Sequence, residues 1–92
     1  MIKTFADKDT EKISQGRHVK AWGNIERQIQ RKIEYLKAAV ELGDLRAPPG
    51  NRLEQLQGDR EGQYSIRVND QYRICFRWEG GDAYDVEVTD YH

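Results

Sequence analysis

Tyr64-Ser65-Ile66-Arg67-Val68-Asn69-Asp70-Gln71-Tyr72-Arg73-Ile74-Cys75-Phe76-Arg77-Trp78 is the stretch from which the fold can be read. Tyr64, Ile66 and Val68 alternate with Ser65 and Arg67. After the polar break Asn69-Asp70-Gln71, Tyr72, Ile74, Phe76 and Trp78 alternate with Arg73, Cys75 and Arg77. A period of two marks a strand with one buried face, and two such runs around a short polar loop mark a hairpin. All apolar partners must share a face, so Val68 is expected opposite Tyr72 and Arg67 opposite Arg73. Gly80-Gly81-Asp82 turns the chain again, and Tyr84, Val86 and Val88 alternate with Asp85, Glu87 and Thr89. A loop over 79–83 then pairs Trp78 with Tyr84, Ile74 with Val88 and Arg73 with Thr89. This register sets Tyr91 on the open face, diagonal to Arg73 and within reach of long side chains. Arg67, Arg73 and Tyr91 are expected to cluster on that open face, where Arg73 is not needed for packing. Two arginines directly opposite repel unless an anion or an acidic neighbour lies between them. A phosphate is one candidate; Glu87 or Asp90 is the other.

Upstream the period changes. Trp22, Ile25, Ile29, Ile33, Leu36 and Val40 recur at spacings of three and four, one apolar face of a helix. Asn24 is its expected N-cap and Gly43 its stop. Asp9 or Thr10 is expected to cap a shorter helix ending at Gly16, and Ile2 to Phe5 reads as a short strand. Ala47-Pro48-Pro49-Gly50 forces a loop. Leu53 and Leu56 open a further short strand, closed by Gly58-Asp59-Arg60-Glu61-Gly62. Two helices followed by an antiparallel meander make an α+β design, with the long helix packed on one sheet face.

Ninety-two residues, without repeats or low-complexity tracts, are expected to form one domain over 1–92. Apolar residues are 37% and charged residues 34%, too polar for a membrane protein and too rich in Ile, Val and aromatics for disorder. No secretory leader is expected from Met1-Ile2-Lys3-Thr4-Phe5, and the expected location is the cytoplasm. One cysteine, Cys75, excludes an internal disulfide, and His18 and His92 stand far apart in sequence, so neither a metal nor another cofactor is expected. The net charge of −1 excludes a strongly basic protein that binds RNA freely. Its distribution is uneven: residues 1–37 carry nine Lys/Arg against five Asp/Glu, and residues 38–92 carry six against eleven. Such asymmetry points to an electrostatic partner or, more plainly, to a mixed solvated surface.

Asp90-Tyr91-His92 gathers an acid, a phenol and an imidazole in three residues. A protonated imidazole at His92 suits general acid work; a loose tail is the alternative. Arginine suits RNA cleavage because its planar guanidinium grips phosphate bidentately and offsets transition-state charge. RNA supplies its own nucleophile, the 2′-hydroxyl, so a base, an acid and a cation suffice. For Arg67, Arg73 and Arg77 the alternative is a solvated strand face. The aromatic side chains of Tyr64, Tyr72, Phe76, Trp78 and Tyr84 are expected in the core, and Cys75 between Arg73 and Arg77 is expected to be inert.

Leu53-x-x-Leu56-x-Gly58-Asp59-Arg60-x-Gly62-x-x-Ser65-Ile66-x-Val68-Asn69, then Tyr72-Arg73-Ile74-Cys75-Phe76-x-Trp78, and finally Asp90-Tyr91-His92, resemble the HigB (host inhibition of growth) toxins of the RelE/ParE superfamily. The resemblance implies a RelE-like fold, helices against a twisted antiparallel sheet with the outline of microbial ribonucleases. It implies a type II toxin–antitoxin module whose toxin cuts messenger RNA on the ribosome without a metal, leaving a 2′,3′-cyclic phosphate. The implied partners are the ribosome and its message, and a helix-turn-helix antitoxin of the HigA type through which alone operator DNA is reached. Position by position, Arg73 is the implied phosphate stabiliser, and Asp90, Tyr91 and His92 share proton transfer and positioning. Lys20, Arg27, Arg31 and Arg67 are the expected ribosome and RNA contacts. Some relatives carry His where this chain has Glu54 and Lys where it has Gln57, so those two roles do not carry over, although Glu54 can serve as a base. The rival reading is a non-catalytic binding toxin of the same fold, of the gyrase-poisoning type, which has no need of Arg73 together with Asp-Tyr-His.

Overall fold

The hairpin is where the sequence puts it. A computed structural model describes residues 1–90, and in it β2 (Tyr64–Arg67) and β3 (Tyr72–Glu79) pair antiparallel with Ile66 opposite Ile74 and Arg67 opposite Arg73. β1 (Glu54–Gln55) adds on the outer side of β2 and β4 (Asp82–Asp90) on the outer side of β3, giving a sheet in sequence order. Two helices precede it, α1 (Lys8–Ser14) and α2 (Glu26–Ala38), with short 3-10 segments between elements, two of them between α2 and β1. Ile29, Ile33 and Leu36 of α2 are fully buried and share one core with Ile66, Ile74, Phe76 and Val86 of the sheet. The α+β expectation is therefore met. No helix among the described residues is long and apolar enough to cross a membrane.

α2 is shorter than its apolar period suggests, because side-chain hydrogen bonds reorganise the chain at both its ends. Asn24 is not its cap, and Trp22 lies in a separate 3-10 turn. The first turn is instead clasped by Glu26, whose Oε2 accepts the Val19 N–H at 2.6 Å and lies 3.0 Å from His18 Nδ1. The Val19 N–H, and then His18, hold the Glu26 carboxyl below its ordinary range. At the far end Asp44 Oδ2 accepts the N–H groups of Val40 and Glu41, each at 3.0 Å. That diversion ends the helix at Ala38, not Gly43, and leaves Val40 73% exposed rather than in the core. α1 is capped by Asp7, whose Oδ1 accepts the Thr10 N–H at 2.7 Å, not by Asp9 or Thr10. Thr10 is buried instead, its hydroxyl accepting the Val88 N–H at 3.0 Å and so fastening α1 to β4.

The β3–β4 pairing follows the expected register only halfway. Arg73 faces Thr89 and Ile74 faces Val88; beyond Cys75 the ladder slips, so that Arg77 faces Tyr84 and Trp78 faces Ala83. The expected Trp78–Tyr84 pair is therefore wrong. The extra residue falls at Asp85, whose φ of +53° is one that Asp adopts more readily than most side chains. The slip shortens the turn to Gly80-Gly81, both at positive φ, the two-residue hairpin loop that matches strand twist. Tyr84 consequently leaves the core face and lies against Arg77, its ring centroid 5.7 Å from the guanidinium carbon. The segment Ile2 to Phe5 runs parallel to β4 through bridges Ile2–Ala83 and Phe5–Val86.

Candidate active site

Arg73 sits in mid-sheet on the face away from the helices, and it is not open to solvent. Its residue exposure is 7%, which corrects the expectation of an arginine irrelevant to packing. Burying a guanidinium is costly unless its donors are met. Nε donates to the buried Ser65 hydroxyl at 2.7 Å, and Nη2 donates to the Arg52 carbonyl at 2.9 Å. Glu54 Oε2 stands 3.7 Å from Nη2, and its side chain is half-exposed. The cover is the chain between the helical half and β1. Pro49–Asn51 forms a 3-10 turn capped by Arg52 in the left-handed region, φ +45°, and this presents the Arg52 carbonyl to Arg73.

That turn is itself pinned. Asn51 is fully buried, donates from Nδ2 to the carbonyls of Leu45 and Ala47 at 3.2 Å, and accepts from Lys32 Nζ at 2.6 Å. The guanidinium is thus held in plane by a hydroxyl and a carbonyl, with the Glu54 carboxylate further off at 3.7 Å. Such a group, beside a carboxylate, is suited to gripping a phosphate and neutralising charge that develops on it.

The opposed arginines solve their repulsion with acids other than those expected. Arg67 pairs with Asp70 in the hairpin loop and Arg73 with Glu54. Glu87 is taken by Arg60 at 3.1 Å, and Asp90 accepts from Gln71 Nε2 at 3.2 Å. Asp90 pairs with Tyr72, one residue along from the Arg73–Thr89 pair. Strand alternation therefore assigns it to the Tyr72 side of the sheet, not to the side of Arg73. The expected roles of Tyr91 and His92 lie outside the described residues. Arg77 is engaged by Asp85 at 2.8 Å and Glu79 at 3.1 Å, and Asp85 before all else raises its pKa further. Cys75 is fully buried.

Of the expected RNA contacts, Arg31 and Arg67 line one cleft between α2 and the β2–β3 hairpin, whereas Lys20 and Arg27 are exposed and lie outside its lining. Sequence reasoning missed Ser65, Asn51 and the Arg52 carbonyl. Ser65 was legible, since the same register that opposes Arg67 and Arg73 places it on their face two residues from Arg67. Nothing local marked Asn51 or Arg52, because their roles arise from a turn folding over a distant strand.

The fold is shared with solved toxin–antitoxin structures. A heterotetrameric YoeB–YefM complex from Staphylococcus aureus contains a chain matching all of this one and 98% of itself, with a TM-score of 0.57 at 16% identity. A second YoeB–YefM complex from the same organism matches with a TM-score of 0.52 at 18% identity. The model of the HigB-like toxins, described as RelE-like toxins of the type II toxin–antitoxin system HigB, matches residues 3–92. The chain belongs to that family. It is 46% identical over 85 residues to Toxin HigB-1 of Vibrio cholerae serotype O1, covering 90% of both chains. It is also 38% identical over 65 residues to Endoribonuclease HigB of Proteus vulgaris, covering 71% of this chain and 70% of the relative.

Proposed function

We propose that this chain, as a single domain over 1–92, is a ribosome-dependent endoribonuclease that cuts messenger RNA, arrests growth, and works in the cytoplasm. The observation that carries the reading is Arg73, buried yet aimed by neutral acceptors, with Glu54 beside it. Family membership and a relative named as an endoribonuclease support the same reading. The 2′-hydroxyl of the message attacks the adjacent phosphorus, passing its proton to a carboxylate, for which Glu54 is the candidate. The new oxygen–phosphorus bond closes a 2′,3′-cyclic phosphate as the bond to the 5′-oxygen breaks, and that oxygen takes a proton from an acid, for which His92 is the candidate. Arg73 holds the non-bridging oxygens while the extra charge is present. A helix-turn-helix antitoxin of the HigA type is the proposed controlling partner, in keeping with the toxin–antitoxin complexes that share the fold.

The test is purified protein on programmed ribosomes, with the cut ends analysed. Cleavage of the message with cyclic phosphate ends, absent without ribosomes, is the expected result. Efficient cleavage of naked RNA in ordinary salt, or double-strand DNA breaks without RNA loss, would overturn it.

A further inference from the structure

The cleft that holds Arg31 and Arg67 has an unusual lining for a chain of net charge −1. Within its volume of about 390 Å³ it gathers Arg31, Lys32 and Arg67 with Gln28, Tyr35 and Asn69, and no carboxylate belongs to the lining. Asp70 pairs with Arg67 from the rim and is itself fully exposed. Lys32 is half-buried, and its Nζ donates to the neutral amide of Asn51 and sits 5.5 Å from the centroid of the Tyr35 ring. Burial, and then the charges of Arg31 and Arg67, lower the Lys32 pKa from its ordinary value. Asn69 Oδ1 accepts the N–H groups of Gln71 and Tyr72 at 2.8 Å, which leaves its NH2 to serve another acceptor. Three cations gathered in one cleft repel one another, Asp70 offsets the charge of Arg67 alone, and an anion among them adds an attraction to each.

The position of the cleft indicates which anion. Arg67 is the direct cross-strand partner of Arg73, and the Asn51-Arg52 pair joins the two sites: Asn51 accepts from Lys32 while the Arg52 carbonyl accepts from Arg73. We infer that this cleft is a second phosphate subsite, taking a backbone phosphate of single-stranded RNA next to the one gripped at Arg73. The inference rests on the endoribonuclease reading. Phosphate contacts of this kind fix register without reading sequence.

The test titrates isotope-labelled protein with a short single-stranded RNA, 2′-O-methylated so that it cannot be cut, across a range of KCl. Wild-type protein should show the Gln28 and Asn69 side-chain amides shifting. Replacing Arg31→Gln and Arg67→Gln together should abolish those shifts and flatten the slope of log K against log[KCl] by roughly 0.7 per contact removed. Lys8→Gln with Lys12→Gln, which makes the same charge change on α1, should leave the slope near that of the wild type. An unchanged slope in the Arg31/Arg67 variant, or amides that respond only to an acidic peptide, would overturn the subsite. Cleavage by the wild-type protein on programmed ribosomes is scored separately. Cleavage without an oligonucleotide response rejects the subsite alone, and an oligonucleotide response without ribosomal cleavage rejects the nuclease reading while the subsite stands.

Discussion

Arg73 is asked to do two things, and they have different energetic signatures. Removing a well-placed donor to a transition-state anion costs about 10²-fold or more in rate. Because this donor is also buried, Arg73→Ala strands the Ser65 hydroxyl and the Arg52 carbonyl, at about 1–3 kcal/mol for such unmet groups. The expected outcome is loss of single-turnover cleavage together with a melting temperature lower by at least about 4 °C. Normal melting with full loss of cleavage would show the guanidinium to be dispensable to the fold. Glu54→Gln offers the complement, since its half-exposed side chain leaves the core intact. It should lower the rate by roughly 10²–10⁴, as removal of a general base does, with melting within about 0.5 kcal/mol of wild type. A wild-type pH–rate profile in this variant would remove Glu54 from the proton path. At this scale alternation told which face Arg73 occupies, but not what lies over that face. Burial was hidden because the cover comes from Asn51 and Arg52, residues without a periodic signature.

Elements were legible wherever one face had to be dry, and illegible where side chains competed for backbone groups. The β2–β3 register followed from apolar alternation alone, since a slip of one residue would turn Ile66 and Ile74 outward. The β3–β4 slip was not visible, because Tyr84 is as apolar as a core residue and nothing in the pattern distinguishes Asp85. Its left-handed backbone gives a prediction: Asp85→Val should cost about 1–3 kcal/mol in denaturant unfolding, while Asp85→Gly should cost less, sparing the strain and losing the Arg77 pair and the Thr4 hydroxyl contact that both variants lose. Equal losses would locate the cost in the side-chain contacts of Asp85 rather than in its backbone. The ends of α2 carry a pH dependence of known sign. Glu26 and Asp44 both have folded pKa values below their ordinary ones, so their stabilisation is present above the unfolded values and is lost as pH falls through the folded ones. Glu26→Gln with Asp44→Asn should therefore flatten the loss of stability on the acid side of the carboxylate range and leave its slope near neutrality unchanged. An unaltered acid limb in thermal melts would refute the assignment.

For the whole molecule, the near-neutral charge matters less than its partition. Acids are spent inside the sheet on Arg60, Arg73 and Arg77, whereas the cleft beside α2 gathers cations without a lining carboxylate. The excess of bases in residues 1–37 already pointed to such a division, but the contribution of Arg67 from the other half could be seen only after folding. Expression of the chain alone should arrest growth, and ribosome association should weaken steeply as salt is raised, as phosphate-led binding does. Salt-insensitive sedimentation with ribosomes would leave the arrest without its electrostatic cause.

The segment Ile2 to Phe5 lies along β4, and Thr10 reaches Val88, 78 positions further on, so residues in and before α1 are completed only by a strand made long after them. During synthesis at roughly 5–20 residues per second, Thr10 waits on the order of 4–16 s for its partner. A nascent chain lacking β4 has neither its outermost long strand nor the Thr89 neighbour of Arg73, and so should remain incomplete until β4 has emerged. Chains stalled before residue 82 should be digested rapidly by added protease and full-length released chains slowly. Equal resistance would mean that the sheet closes without its last strand. The arrangement delays the toxin's action behind its making: the Arg73 site is assembled only once β4 has been made.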